Sequence, residues 1–424
     1  MLNKLTNLIV IDWGFTRLKF WSIDHMGKII NEKNILIKDI NQNPEFYNFE
    51  KLRNVANEIL SFIRCTTKEK NKEIYILSSC QMHCISGIFS DNTPFLSSWN
   101  DMPIITNKPK IKTINGQPTL PSMPLNKIIK INGSSYLKTE STINLLQKQE
   151  IKIKCFLTPI QLIFNYFFNF NLPPSIPFWE STCLPKNLIS KNNNFFDADL
   201  LNYPLHNKKI LSKNKLKIFP EIGDLQASTY NALINSDMVI NWGTGSQIIF
   251  KKSFKSIEID YYRNFPLLGK VFVISHIPCG RLFSDYCKNK NINFEDLKES
   301  FNSYKVKNFK RKLSNIKRNI LYFPGYDAFK LKYISVPEIN ISQIENYSID
   351  QLITLWLFQY INLINYIFPK NKNIKKVNIS ICGELGGISI KAIKILEEIC
   401  SSNFTFTLKK NSLPKSILQL SGIH

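Results

Sequence analysis

The chain carries nearly the same hexapeptide twice, as Ile11-Asp12-Trp13-Gly14-Phe15-Thr16 and as Ile240-Asn241-Trp242-Gly243-Thr244-Gly245. Each copy follows an apolar run, Leu8-Ile9-Val10 or Met238-Val239, and feeds a second one, Leu18-Lys19-Phe20-Trp21 or Gln247-Ile248-Ile249-Phe250. Each therefore reads as a strand, a tight Gly-containing turn and a returning strand. A turn of this kind aims backbone N–H groups into a concavity that suits phosphate oxygens. Two such hairpins far apart in one chain predict two similar lobes holding one polyphosphate between them.

At 424 residues the chain has room for two or three domains, and a hydrophobic share of 44% permits a sizeable core. No apolar run is long enough for a membrane span. The most apolar windows, Phe156 to Phe170 and Leu352 to Ile367, carry polar residues at helical spacing and predict buried helices. The N-terminus lacks the basic, apolar and small-residue order of a signal peptide, so the expected location is the cytoplasm. The net charge of +23 raises the question of nucleic acid. The lysines are scattered, however, often beside Asn as in Lys213-Asn214-Lys215, which is the mark of a compositional bias. The nine cysteines follow no metal-binding spacing, since Cys80 and Cys84 lack a second pair, and they read as reduced core residues.

Strand-first, helix-next units recur in both halves and indicate α/β lobes. Three strands are expected within residues 8–33, a helix over Lys51 to Ile63 and a buried strand over Ile74 to Ser79. Loops are expected over 107–135, then a mostly helical stretch to about Phe170. A helix over Leu225 to Leu233 precedes the second hairpin, which begins at Met238. Further on come helices over Tyr347 to Ile367, a strand over Val377 to Ile381 and a helix over Ser389 to Ile399. The hairpins put the lobe boundary near residue 235, dividing the chain into 1–235 and 236–424.

Several groups of residues carry chemistry. Asp12 ends the first strand, where a carboxylate can hold Mg²⁺ through water, although a turn-forming Asp reads the same way. Asp224, in Gly223-Asp224-Leu225-Gln226, opens a helix after a strand. It reads either as a helix cap or as a general base for a hydroxyl beside a transferring phosphate. Gly243, Thr244 and Gly245 offer free N–H groups and a hydroxyl to phosphate. Gly383-Glu384-Leu385-Gly386-Gly387 lies between a strand and a helix, where a nucleotide can approach the backbone closely. Gln81-Met82-His83 and Trp99-Asn100-Asp101 could line a polyol pocket, or be a satisfied core histidine and an Asx turn.

Taken in order, these segments resemble the FGGY carbohydrate kinases, of the superfamily that includes actin and the heat-shock ATPases. Asp12 to Thr16 is similar to that family's first phosphate turn, and Cys80 to His83 resembles the Gly-Gln-Met-His-Gly segment of xylulokinases. Trp99 to Asp101 resembles its Trp-Gln/Asn-Asp segment, and Gly116 through Leu125 its Gly-x-x-Pro loop. Gly223-Asp224-Leu225-Gln226-Ala227-Ser228 and the stretch from Ile257 to Arg281 are most similar to sedoheptulokinases. The resemblance implies two ribonuclease-H-like, actin-like lobes with a nucleotide and sugar cleft between them, and ATP-dependent phosphorylation of a ketose. It implies Asp224 as the base, Asp12 for Mg²⁺, and Gly14, Thr16, Gly243, Thr244 and Gly245 for phosphates. Gly383 and Gly386 would border adenosine, and Gln81, Met82, His83, Trp99, Asn100, Asp101 and Asp224 the sugar. The implied partners are ATP and a sugar, with no nucleic acid and no membrane, and a homodimer is compatible. Four residues depart from the pattern: Phe15 replaces a Thr, Arg17 follows Thr16, Cys84 replaces a Gly, and Pro103 follows Met102 where an Arg is usual. A xylulokinase-like or other sugar or polyol kinase, or a kinase-like binding protein with weak activity, is the alternative.

Overall fold

The computed structural model describes residues 6–14, 16–40, 46–66, 73–81, 84–97, 113–114, 117–118, 153–170, 211–213, 216–219, 221–243, 245–251, 262–265, 268–309, 311, 346–368, 376–383, 385, 387–400, 402–409 and 412–421. Its frame is two sheets built on one plan. In the first, β1 (Thr6–Trp13), β2 (Arg17–Ile23) and β3 (Ile29–Leu36) form an antiparallel meander. On the other side of β1 lies β4 (Glu73–Cys80), which is parallel to it. A short strand pair follows, β5 (Leu211–Lys213) and β6 (Leu216–Ile218), with β6 parallel to β4, and β7 (Ile222–Gly223) pairs with the far end of β4.

The second sheet repeats this order. Strands β8 (Met238–Trp242) and β9 (Gly245–Phe250) form its central hairpin. An edge pair, β10 (Tyr262–Phe265) and β11 (Gly269–Pro278), lies beyond β9. Strands β12 (Val377–Cys382) and β13 (Phe404–Lys409) run parallel beside β8. The series β3-β2-β1-β4-β6 thus matches β11-β9-β8-β12-β13, direction for direction. The repeated hexapeptide marks the same corner of each sheet.

The central strands are apolar throughout because both of their faces are covered. Alternate residues of β1 enter different cores: Ile9, Ile11 and Trp13 pack under helices α1 (Phe49–Thr66) and α2 (Pro159–Phe167). Leu8 and Val10 enter a second core together with Val239 and Ile249 from the other sheet. Two helices fill that shared core, α3 (Asp224–Ile234) through Leu225, Ala227, Tyr230 and Leu233, and α8 (Ser412–Ser421) through Ile417. The outer face of the second sheet packs under α4 (Gly280–Lys290), α5 (Phe294–Ser303), α6 (Ile349–Ile367) and α7 (Ser389–Ile399). Truncating one of these fully buried Leu or Ile side chains to Ala costs about 2–5 kcal/mol.

One departure from the sequence reading has a clear cause. The stretch expected to be mostly helical up to Phe170 contains a strand, Ile153–Phe156, which pairs with Ile85–Phe89 in a small sheet with Pro94–Ser97 and Phe46–Tyr47. The helix starts only where Thr158 and Gln161 form a capping box around Pro159. Strands β11 and β13 were not foreseen, and neither were α4 and α5. In the loop-rich region 107–135 the described residues are two short paired strands, Thr113–Ile114 and Gln117–Pro118.

Candidate active site

The register brings several of the singled-out residues to one edge of the first sheet. Asp12 lies opposite Lys19 across the hairpin and beside Ser79 of β4. It is only 4% exposed. Its Oδ1 accepts a 2.7 Å hydrogen bond from the Ser79 hydroxyl, and its Oδ2 lies 3.4 Å from the Lys19 ammonium. Among the described residues no group of three or more His, Cys, Asp and Glu could hold a metal ion. The donor set at Asp12 is therefore one oriented carboxylate, which fits Mg²⁺ held through water and phosphate and not an all-protein cage. Lys19 would have to yield Oδ2 to such an ion, and at one-third exposure it has the room to do so.

The turn after Asp12 closes on itself. The Gly14 N–H donates to the Arg17 carbonyl at 2.9 Å, so this N–H is committed within the turn. Thr16 is exposed, and its carbonyl accepts from Ile37. Four residues, Gly14 to Arg17, separate the paired Trp13 and Leu18. Three, Gly243 to Gly245, separate Trp242 and Ser246. The first turn is thus one residue longer than the second.

Asp224 is the first residue of α3, with Gly223 as its N-cap in extended geometry. Its side chain does not occupy the capping position, and its Oδ1 accepts the Leu225 N–H at 2.8 Å. Gly223 pairs with Cys80, whose other neighbour is Trp13, so Asp224 follows the same sheet edge as Asp12. Gln81 extends β4 at this edge, its N–H donating to the Trp13 carbonyl at 2.9 Å. Gln81 and Gln226 are each 1% exposed. Both side-chain amides lack a hydrogen-bond partner among the described residues. A buried amide left unpaired costs about 1–3 kcal/mol, which favours a polar ligand or water at each. Gln226 was quoted in the sequence only as part of a motif, and its burial could not be read there.

At the second sheet the turn is gripped from outside. The Gly280 N–H donates to the Gly243 carbonyl at 3.0 Å, and a Cβ on Gly280 would stand 2.7 Å from that oxygen. Gly383 has φ +84, and a Cβ there would fall 1.7 Å from the Trp242 carbonyl oxygen. Gly243, Gly245 and Gly383 therefore meet at the matching edge of this sheet. Beneath them Trp242, Trp356 and Tyr360 pack in tilted and edge-on contacts with ring centroids 5.0–6.0 Å apart. The Trp356 indole donates to the Pro278 carbonyl at 3.0 Å, and burial pushes the Cys279 thiol up to about 12. Residues Phe15, Met82, His83, Trp99, Asn100, Asp101, Pro103, Thr244, Glu384 and Gly386 lie outside the described residues.

One buried carboxyl group escaped the sequence reading. Glu221 stands three residues before Asp224 and is 2% exposed. Its Oε1 accepts the Ile160 N–H at 3.1 Å, at the start of α2. Burial raises it to about 8, opposed by the backbone N–H of Ile160, the nearby Cys80 thiol and the backbone N–H of Gln161. A Pro-Glu-Ile-Gly-Asp run gives no sign that its Glu reaches a helix 61 residues earlier.

No protein-family model matches the chain, and no curated protein matches it in sequence. Solved structures do match it along its length. The xylulose kinase of Lactobacillus acidophilus aligns over 98% of this chain and 89% of its own, with TM-score 0.61 and 14% identity. Plasmodium falciparum glycerol kinase with ADP aligns over 100% and 90%, with TM-score 0.60 and 13% identity. A carbohydrate kinase of Novosphingobium aromaticivorans aligns over 99% and 91%, with TM-score 0.64 and 10% identity. The chain has the mixed α/β, two-lobed fold of the actin-like ATPases and sugar kinases. Among the described residues no helix is long and apolar enough to cross a membrane.

Proposed function

We propose that this chain is an ATP-dependent carbohydrate kinase that phosphorylates a hydroxyl of a ketose, with lobes 1–235 and 236–424. The observation that carries the reading is the pair of matched sheet corners. One holds Asp12, Gln81 and Asp224, the other Gly243, Gly245 and Gly383. A strand-end edge is where open α/β sheets bind their ligands. The fold likeness to sugar kinases supports the same reading.

In this reading Asp224 accepts the proton of the sugar hydroxyl as the oxygen attacks the γ-phosphorus, and the bond to the leaving ADP breaks. Its place at a helix start keeps a carboxylate favoured there. The backbone of the second turn and Thr16 hold phosphate oxygens. Asp12 would hold Mg²⁺ through water, and the ion would supply neutralisation of phosphate charge. Gln81 and Gln226 offer buried amides, Gln81 to the sugar. Sedoheptulose is the first choice from the motif around Asp224, and xylulose fits equally well.

The test is purified protein with ATP, Mg²⁺ and ketoses of five to seven carbons. Sugar-dependent ADP release is expected, and Asp224→Ala lowers it on the order of 10² to 10⁴-fold. No ADP release with any of these sugars, or full activity in Asp224→Ala, overturns the reading.

A further inference from the structure

We propose that Glu221 is a positioning residue: its buried carboxyl ties the first turn of α2 and the end of β4 to the chain step that carries Asp224. The catalytic consequence rests on the kinase reading above, whereas the tie itself does not.

Three elements meet at this side chain. Glu221 leads directly into β7, which pairs Ile222 with Ser79 and Gly223 with Cys80. Its Oε1 takes the Ile160 N–H, and the backbone N–H of Gln161 also faces it. Helix α2 already has a local acceptor, since Thr158 and Gln161 close a capping box. Glu221 adds an acceptor for the first-turn N–H groups that the box leaves over. The Cys80 thiol lies against the same carboxyl. Burial first, and then the neighbouring Cys84 thiol, raise Cys80, so this thiol stays protonated. Cys84 donates to the Gln81 carbonyl at 3.2 Å. The first turn of α2 is thus bonded to Glu221, and the chain from Glu221 runs through the β7 pairing with Ser79 and Cys80 directly into Asp224.

The proposed phosphotransfer makes no use of Glu221, yet a buried carboxyl is costly to retain. As a neutral acid the group has an acceptor oxygen for Ile160 and a proton of its own, and a glutamine amide reproduces both. The titratable group against it is Cys80 at the end of β4, and Cys84 and Asp224 lie near that thiol. Helix α2 presents none, as Pro159–Phe167 contains no charged residue.

The test uses the intact protein with Glu221→Gln and Glu221→Ala, read in two ways. Amide hydrogen exchange at Ile160 and Leu225 reports the tie without turnover. Exchange at least about tenfold faster at both sites is expected in the Ala variant, with protection kept in the Gln variant. On a sugar that the wild type phosphorylates, the Ala variant loses on the order of 10²-fold in kcat with KM for ATP unchanged. The Gln variant is expected to recover most of that loss and to lack the fall in activity expected of the wild type above about pH 8. Unchanged Leu225 exchange in the Ala variant overturns the proposal, and so does a Gln variant as impaired as the Ala variant. If the Ala variant does not fold, loss of Ile160 protection in the Gln variant overturns it. A wild type that phosphorylates no sugar ends the kinase reading instead, and the exchange experiment alone then decides the tie.

Discussion

At the end of β1, Asp12 faces Lys19 across the hairpin, while at the matching place on β8, Asn241 faces Gln247 and donates to it at 2.9 Å. One frame therefore holds an ion pair in its first copy and a neutral amide pair in its second. The strand alongside differs in the same sense, with Ser79 hydrogen-bonded to Asp12 and Cys382 beside Asn241. The contrast extends beyond the hairpins. Among the described residues the two buried charged side chains, Asp12 and Glu221, both belong to the first half. The turns also differ in what shapes them. The first is closed by its own Gly14-to-Arg17 bond, and the second is pressed between Gly280 and Gly383. The repeated strand order accounts for the shared frame, and the partners around each copy account for the difference between the two corners.

Five substitutions break or sharpen this comparison. Gly383→Ala forces a side chain onto a positive φ and onto the Trp242 carbonyl, and should cost more than about 3 kcal/mol in urea unfolding. Asp12→Asn converts the first corner into the second. It should lower kcat/KM for Mg-ATP by about 10 to 100-fold, as loss of an outer-shell metal partner does. Adding Asn241→Asp should not restore the loss, because that carboxylate would face Gln247 and no lysine. An activity in Asp12→Asn equal to wild type would erase the proposed division of labour.

Glu221→Gln separates the halves by pH. The folded chain keeps a proton on Glu221 up to about 8 that an unfolded chain loses near 4.5, so stability falls as pH rises through that window. The slope from this group is at most about 1.4 kcal/mol per pH unit. The Gln variant should lose that slope in thermal melts run across the window, and a slope equal to wild type would show that Glu221 ionises normally. The smallest effect belongs to Gly245→Ala. Nothing stands within 4 Å of its added Cβ, so unfolding should move by no more than about 0.5 kcal/mol.

Much of the frame was legible because it rests on local pattern. The repeated hexapeptide located both hairpins, and the apolar runs before them became the buried central strands. Asp224 was placed at a helix start for the same reason, although Gly223 takes the cap. What stayed hidden depends on residues far apart in sequence. Ser79 reaches Asp12 across 67 positions, and Glu221 reaches Ile160 across 61. The need for glycine at 383 comes from the Trp242 carbonyl on the neighbouring strand, and no property of the Gly-rich run itself announces it. Strand β11 begins at Gly269 inside a segment singled out only by its likeness to a family, and its pairing with β9 decides its role.

The contact between α3 and α8 carries a consequence for the order of events at birth. Helix α3 holds Asp224 at its start, and at Asn231 it is bound by Ser416 and Gln419, the N–H at 2.8 Å and the side chain at 2.9 Å. Ser416 leaves the ribosome 185 residues after Asn231. Until then the apolar face of α3 lacks Ile417, and the core that joins both sheets cannot close. The proposed base is thus encoded mid-chain at the start of a helix whose far end is held by residues made nearly two hundred positions later.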